Sequence, residues 1–238
     1  MSTLEAETIE PQSGTTVTLG ASGDAVVIGA DALKVNTIKD AGANTIFTSD
    51  GSGTLSSVNS GLAGSMVFIS STTASGDASV TFSSGIDSTY DEYVFTFVNI
   101  NPSSDGGFFQ FQAVPVVDAT TTYFSAMHGE GGAGGSLDYI GSYDRVADNR
   151  YLWLTEDIGS DADQSGSGIL HIYGPASTTY QKHWYATSQI ASKNNYSKNS
   201  FTAGFFDTTS AITGFIFHIG DTGPTGTFDG TIALYGIK

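Results

Sequence analysis

One acidic hexapeptide has the spacing of a metal site. In DADQSG, residues 161–166, Asp161, Asp163 and Ser165 offer oxygen ligands at alternate positions, and Gly166 stands where a calcium loop turns sharply. The match ends at Ile172, which occupies the position of the bidentate glutamate in such loops. The hexapeptide predicts either a calcium site or an acidic loop in solvent, and no other cofactor is expected.

Signatures of catalysis are weak elsewhere in the sequence. The chain has no cysteine and no GxSxG motif, so neither a thiol nucleophile nor a nucleophile elbow is expected. The glycine-rich segment 129–135 lacks the Lys-Ser/Thr pair of a phosphate-binding loop. Four histidines have no metal-ligand spacing: His128, His171, His183 and His218. Although two carboxylates would suffice for glycoside hydrolysis, most of the 24 acidic residues lie in turn-like stretches. We predict that the chain is not an enzyme.

Aromatic side chains are the better candidates for recognition. In RYLWLTE, residues 150–156, Leu152 and Leu154 alternate with Tyr151 and Trp153. Alternate residues of a strand point to opposite faces. If the leucines face a core, Tyr151 and Trp153 are exposed and suited to stacking on sugar rings. The alternative is that both faces of this strand are buried.

Three further aromatic residues join this candidate set. Trp184 shares a strand face with Lys182, and Tyr139 and Tyr143 follow the glycine-rich segment. The predicted ligand-binding residues are Tyr139, Tyr143, Tyr151, Trp153 and Trp184.

Charge and composition restrict the partners. The net charge is −16, with only eight Lys and Arg residues among 238. A surface this acidic repels the phosphate backbone of nucleic acids and anionic membranes. No apolar run approaches the ~20 residues that span a bilayer, so membrane insertion is not expected. The first 30 residues contain three glutamates and no basic residue, which predicts neither a signal peptide nor a transit peptide.

The aromatic residues divide the chain into unequal parts. Phe47 is the only aromatic among the first 64 residues, whereas 27 of the 28 lie beyond them. A segment this short and poor in large side chains does not close a core alone. We therefore predict an attachment and trimerisation strip over 1–50, a Gly/Ser-rich linker over 51–64, and a self-contained head over 65–238.

Period-two alternation predicts an all-β fold throughout. Short candidate strands recur in the strip at 15–19, 24–29, 33–39 and 44–49, and a disordered acidic tail is the alternative there. In the head, about ten longer runs separated by turn residues predict an antiparallel, jelly-roll-like β-sandwich. Residues 91–101 place Tyr93, Phe95 and Phe97 on one face and apolar residues on the other. That strand is expected to be central and covered on both faces.

Particular phrases of the sequence resemble a known family. GTTVTLGASGDAVVIGADALKVNTIKDAGANTIF is similar to the repetitive strips in tail-fibre and related virion proteins of tailed bacteriophages, especially marine ones. STYDEYVFTFVNINPSSDGGFFQFQ and the terminal FDGTIALYGIK resemble the head domains that follow such strips. The resemblance covers most of the chain and transfers no functional residue. It implies a homotrimeric structural protein of the virion whose β-rich head meets the host surface or another virion component.

The sequence thus favours a structural virion protein, assembled in the host cytoplasm. We expect a homotrimeric tail fibre or fibre tip that attaches to a glycan or protein of the host surface and contacts other virion proteins through its N-terminal strip. Two alternatives stay open: a capsid-decorating head fibre, and a carbohydrate-binding module.

Overall fold

The computed structural model describes residues 35–40, 42–49, 51–52, 55–58, 66–132, 134–220 and 225–237. The strands expected at 15–19 and 24–29 lie outside these residues. Contacts divide the chain into two compact units, Met1–Leu62 and Ala63–Lys238.

The all-β prediction is confirmed. Apart from one 3-10 turn at Gly141–Tyr143, every regular element in the described ranges is a strand, and every strand pairing is antiparallel. The strands are β1 (Thr37–Lys39), β2 (Thr45–Ser49), β3 (Leu55–Val58), β4 (Met66–Asp77), β5 (Ser79–Phe82), β6 (Glu92–Pro102), β7 (Phe109–Val114), β8 (Ala119–Gly129), β9 (Gly135–Tyr139), β10 (Leu152–Trp153), β11 (Gly166–Tyr173), β12 (Lys182–Ala191), β13 (Tyr196–Phe206), β14 (Gly214–Ile219) and β15 (Phe228–Ile237).

The first unit contains a three-stranded sheet in the order β1-β2-β3. Asp40 closes the β1–β2 turn by accepting a hydrogen bond from the Asn44 backbone N–H at 2.9 Å. Strand β3 lies inside the segment 51–64 that the sequence predicts as a linker, and its Val58 stands opposite Phe47 of β2. The high Gly and Ser content of this segment therefore does not prevent residues 55–58 from pairing as a strand.

The second unit consists of two antiparallel sheets that pack face to face. One has eight strands in the order β4-β15-β6-β11-β12-β13-β8-β9, and the other has four in the order β10-β7-β14-β5. Aromatic rings join the inner faces of the two sheets. Phe95 of β6 lies 5.6 Å from Phe215 of β14 between ring centroids, and Phe97 lies 5.1 Å from Phe109 of β7. Burial of such side chains stabilises each by about 1.5–3 kcal/mol, so these rings contribute substantially to the unit's stability.

Strand β6 shows how far alternation predicts burial. It is central as expected, because β15 and β11 pair with its two edges. Tyr93, Phe95 and Phe97 point into the core and are fully buried. The opposite face is not covered along its length, however, since Val98 is exposed. The expectation of cover on both faces is wrong at this end of the strand, where the eight-stranded sheet has an open outer face.

Close packing of β11 against its neighbours requires a glycine. A Cβ atom at Gly168 would lie 2.4 Å from the carbonyl oxygen of Thr187 and 2.5 Å from Cζ of Phe97. Only a residue without a side chain lets the Phe97 ring occupy this part of the core.

Candidate functional site

Two of the five predicted ligand-binding residues are core residues. Trp153 is 7% exposed and Trp184 is 2% exposed, so the expectation that they form an open stacking surface is wrong. Trp184 points inward from β12 and packs edge-to-face on Phe111 at 4.9 Å. Trp153 is covered by Tyr143, at 4.0 Å between centroids, and by the Arg145 guanidinium, 4.5 Å from the ring centroid.

The segment around Trp153 does not keep the geometry of a strand. Strand β10 has only two residues, and beyond it the backbone N–H groups of Leu154 and Thr155 both donate to the Phe109 carbonyl. Leu152, Trp153 and Leu154 are consequently all buried. In a regular strand over residues 150–156, leucines and aromatic residues would point to opposite faces. This alternation does not hold beyond Trp153, where the chain leaves the sheet.

The three predicted tyrosines are not gathered at one place. Tyr139 of β9 is 68% exposed and its hydroxyl donates to the Asp144 carboxylate. Tyr143 belongs to the cluster around Trp153, and Tyr151 lies against the His218 ring at 3.7 Å between centroids. Of the five predicted residues, Tyr139 alone is an exposed ring.

The predicted calcium segment forms a tight turn. The Gln164 backbone N–H donates to the Asp161 carbonyl at 2.9 Å, and the Asn101 amide donates to the Gln164 carbonyl at 2.7 Å. Asp161 and Asp163 are exposed and Ser165 is half-buried. Among the described residues, no group of three or more His, Cys, Asp and Glu side chains is placed to hold a metal. Calcium binding at Asp161, Asp163 and Ser165 remains a prediction.

Exposed aromatic rings lie instead on the outer face of the eight-stranded sheet. We call this set the aromatic band; its members are between 40% and 68% exposed and are Phe124, Tyr139, Tyr173, Tyr185 and Phe201. The register makes Phe124 the direct cross-strand partner of both Tyr139 and Phe201. The Phe124 and Phe201 rings are stacked at 5.0 Å with an interplanar angle of 12°.

The other end of the band is also stacked. The Tyr185 ring lies parallel to His171 at 4.5 Å between centroids, and Tyr173 lies 6.2 Å from Tyr185. Burial and the nearby Glu92 carboxylate raise the pKa of Tyr173 to about 12, so its hydroxyl stays a hydrogen-bond donor at neutral pH. These rings therefore present flat apolar surface with polar hydroxyl edges.

The strand positions of the outer face carry little charge although the chain is strongly acidic. On the outward positions of the described strands β6, β8, β11, β12 and β13, Glu92 is the only carboxylate, and no Lys or Arg occurs there. Glu92 is itself paired with the imidazole of His171. Most of the net charge of −16 must therefore lie elsewhere on the chain.

A polar cleft adjoins the band. Its volume is about 550 Å³, and its lining includes Glu130, Asp163, Ser167, Gln189, Asn195 and Tyr196. Gln189 of β12 is the cross-strand partner of Ser167 in β11 and of Asn199 in β13. Thr187, two residues away in β12, is the cross-strand partner of Phe201. Two residues of a strand span about 6.6 Å. The cleft and the aromatic band are therefore neighbours on one face.

Hydrogen bonds fix the polar groups of the cleft. The Gln189 amide donates to Ser197 Oγ at 2.8 Å, and the Asn99 backbone N–H donates to Ser167 Oγ at 3.0 Å. The Gln164 amide donates to Asn195 Oδ1 at 2.9 Å. These side chains are held in place without a ligand, which lowers the conformational entropy that binding would have to remove.

Comparisons with known proteins give no relative: no family model, no curated protein and no solved structure matches the chain. Among the described residues, none forms a helix long and apolar enough to cross a membrane.

Sequence reasoning found only Tyr139 of the band, because β12 is aromatic on both faces. Trp184 occupies one face and Tyr185 the other, so alternation alone does not say which one is buried. Lys182 shares the face of Trp184 and favours exposure of that face. In the structure Lys182 is buried, and its ammonium group donates to the carbonyls of Tyr180 and Thr208 at 3.0 and 3.1 Å. These two bonds offset the cost of burying the ammonium group, so the face that Lys182 shares with Trp184 can lie in the core.

Proposed function

We propose that this chain is a structural attachment protein of a tailed-phage virion, a homotrimeric tail fibre or fibre tip. In this proposal the N-terminal strip forms the trimeric stalk and contacts other virion proteins. The jelly-roll-like head binds a glycan or protein of the host cell surface, and the chain acts by binding and not by catalysis.

The observation that carries the proposal is the aromatic band on a nearly uncharged outer face. Contiguous exposed apolar surface is uncommon on soluble domains and marks places of interaction. Acidic side chains elsewhere on the chain keep it soluble and oppose non-specific association. Aromatic rings with hydroxyl edges suit both sugar rings and protein loops. A face of this kind fits the contact surface of an attachment protein.

Binding of the labelled full chain to bacterial cells tests this assignment. The protein would be incubated with a panel of intact marine isolates, and adsorption measured by flow cytometry. Phe201→Ala and Tyr185→Ala each remove one ring from the band. Tyr180→Ala is the matched control, because Tyr180 is 74% exposed and precedes β12.

We expect adsorption to at least one isolate, a loss of about tenfold in apparent affinity for the band variants, and no change for the control. Native mass measurement of the same variants separates two roles of the band. A trimer that dissociates in Phe201→Ala would show that the outer face joins protomers and does not contact the host. A stable monomer that binds free sugar would favour a carbohydrate-binding module, and antibody labelling of capsids and not tails would favour a head fibre.

A further inference from the structure

We infer that the polar cleft beside the aromatic band is a saccharide-binding site that accepts uncharged sugars and rejects anionic ones. The inference rests on the proposed attachment function for the source of the ligand, a glycan of the cell surface. Its chemistry rests on the cleft itself. The segment that the sequence singled out for calcium contributes Asp163 to the wall of this cleft.

The functional groups of the cleft match those of a sugar. A sugar hydroxyl both donates and accepts hydrogen bonds, so its site needs acceptors and donors within a small space. Glu130 and Asp163 supply carboxylate acceptors, Gln189 and Asn195 supply amides with both functions, and Ser167 supplies a hydroxyl. Carboxylates form the stronger, charge-assisted bonds to hydroxyl donors.

The volume and the apolar lining of the cleft also suit a saccharide. A volume of about 550 Å³ lies within the range of small-molecule sites, about 300–1,000 Å³. Ala191 and Tyr196 also line the cleft and add apolar surface to it. Sugar rings expose C–H groups on their faces and hydroxyls at their edges, so a cleft with both kinds of lining contacts both parts.

The charges of the cleft select against anions. Its lining includes the carboxylates of Glu130 and Asp163 and, among the described residues, no Lys or Arg. Lys193 and Lys198, which flank this part of the chain, are both paired with Asp157, at 2.9 and 3.3 Å. A carboxylate or sulfate on a sugar would therefore meet like charge without a compensating cation. We expect at least about tenfold weaker binding of uronic or sialic acids than of neutral sugars.

The neighbouring band extends the site. Phe201 lies two residues beyond Asn199 in β13, and Asn199 is the cross-strand partner of Gln189. A saccharide bound in the cleft would direct its next units over the rings of Phe201 and Phe124, where stacking adds affinity. Oligosaccharides should therefore bind more tightly than their monomers.

Titration of the full chain followed by amide NMR tests the inference. The probes are glucose, galactose, mannose and N-acetylglucosamine with their oligomers, and glucuronic and sialic acid as anionic counterparts. We expect shifts of Gln189 and Asn195 with neutral probes and an affinity loss of about tenfold for Gln189→Ala. The double variant Glu130→Gln/Asp163→Asn should bind anionic probes at least as well as neutral ones. Asp118→Asn/Asp138→Asn, which changes the net charge equally at two exposed positions outside the cleft, should keep the selectivity.

Failure of this inference is distinguishable from failure of the proposed function. If no neutral probe shifts the cleft amides at millimolar concentration, or if the anionic probes bind as tightly as the neutral ones, the inference is overturned. Adsorption to cells that is unchanged by Gln189→Ala would also overturn it and would leave the attachment function standing. Binding of neutral sugars in the cleft without adsorption to any isolate would support the inference and count against the attachment function.

Discussion

A buried histidine gives the protein a calculable sensitivity to acid. His218 of β14 is fully buried, and neither imidazole nitrogen makes a hydrogen bond of ordinary geometry. Burial lowers the pKa of His218 to about 4, and an interaction with the backbone of Ile219 opposes this shift only in part. The unfolded chain has an ordinary histidine pKa of about 6.5. Below that pH the unfolded state takes up a proton that the folded state does not, so acid favours unfolding.

The magnitude follows from the two pKa values. A difference of about 2.5 units at about 1.4 kcal/mol per unit gives a loss of about 3 kcal/mol between pH 6.5 and 4, and little further loss below pH 4. His218→Leu removes the proton site, so the variant should lose about 3 kcal/mol less than the parent chain over this interval. Urea unfolding, followed by the fluorescence of the two buried tryptophans, measures both.

The matched control is His183→Leu, because His183 is exposed on the outer face. Because this variant retains His218, it should still lose about 3 kcal/mol between pH 6.5 and 4. Equal pH dependence of the parent chain and His218→Leu would refute the reasoning and show that His218 accepts a proton in the folded state.

Three further predictions concern packing and assembly. Trp153→Ala should lower the unfolding free energy by about 3–5 kcal/mol, measured by urea denaturation, whereas Tyr139→Ala should cost less than about 1 kcal/mol; similar small losses would contradict the burial of Trp153. Gly168→Ala should cost about 1–3 kcal/mol in the same assay, because a methyl group there collides with Phe97 and Thr187; an unchanged midpoint would count against this packing. Native mass measurement of the full chain should give three copies, and a stable monomer at micromolar concentration would contradict the trimer.

The predictability of the fold depends on how regular the strands are. The alternation in β6 predicts the burial of Tyr93, Phe95 and Phe97, because the strand keeps its period of two over these residues. The period breaks at Asn99, which has a positive φ of 55°, and Ile100 is consequently the next buried residue. The alternation does not predict whether the opposite face is covered. On that face Val94 is fully buried and Val98 is exposed, although both are valines, so cover depends on the neighbouring side chains and not on the pattern of β6 itself.

The candidate site was less predictable than the fold, for two physical reasons. At Trp153 the chain leaves the sheet after two residues, so its neighbours do not alternate. In β12, Lys182 lies on the buried face, where an apolar residue would be expected. The backbone carbonyls that accept hydrogen bonds from its ammonium group explain this burial, and the sequence pattern does not show them. The cleft depends on long-range pairing, because Gln189 meets Ser167 and Asn199 only through the register of three strands.

The distribution of charge connects the band with the cleft. A chain with a net charge of −16 repels most biological anions at long range. The outer face is nearly free of this charge, so a neutral ligand approaches it without electrostatic cost, whereas the carboxylates of Glu130 and Asp163 keep the cleft closed to anions. A single saccharide contact of this type is weak. Three heads on one stalk would raise the effective local concentration of the site by ~10²-fold or more, and weak, selective binding would then give stable attachment to a surface that repeats the same sugar.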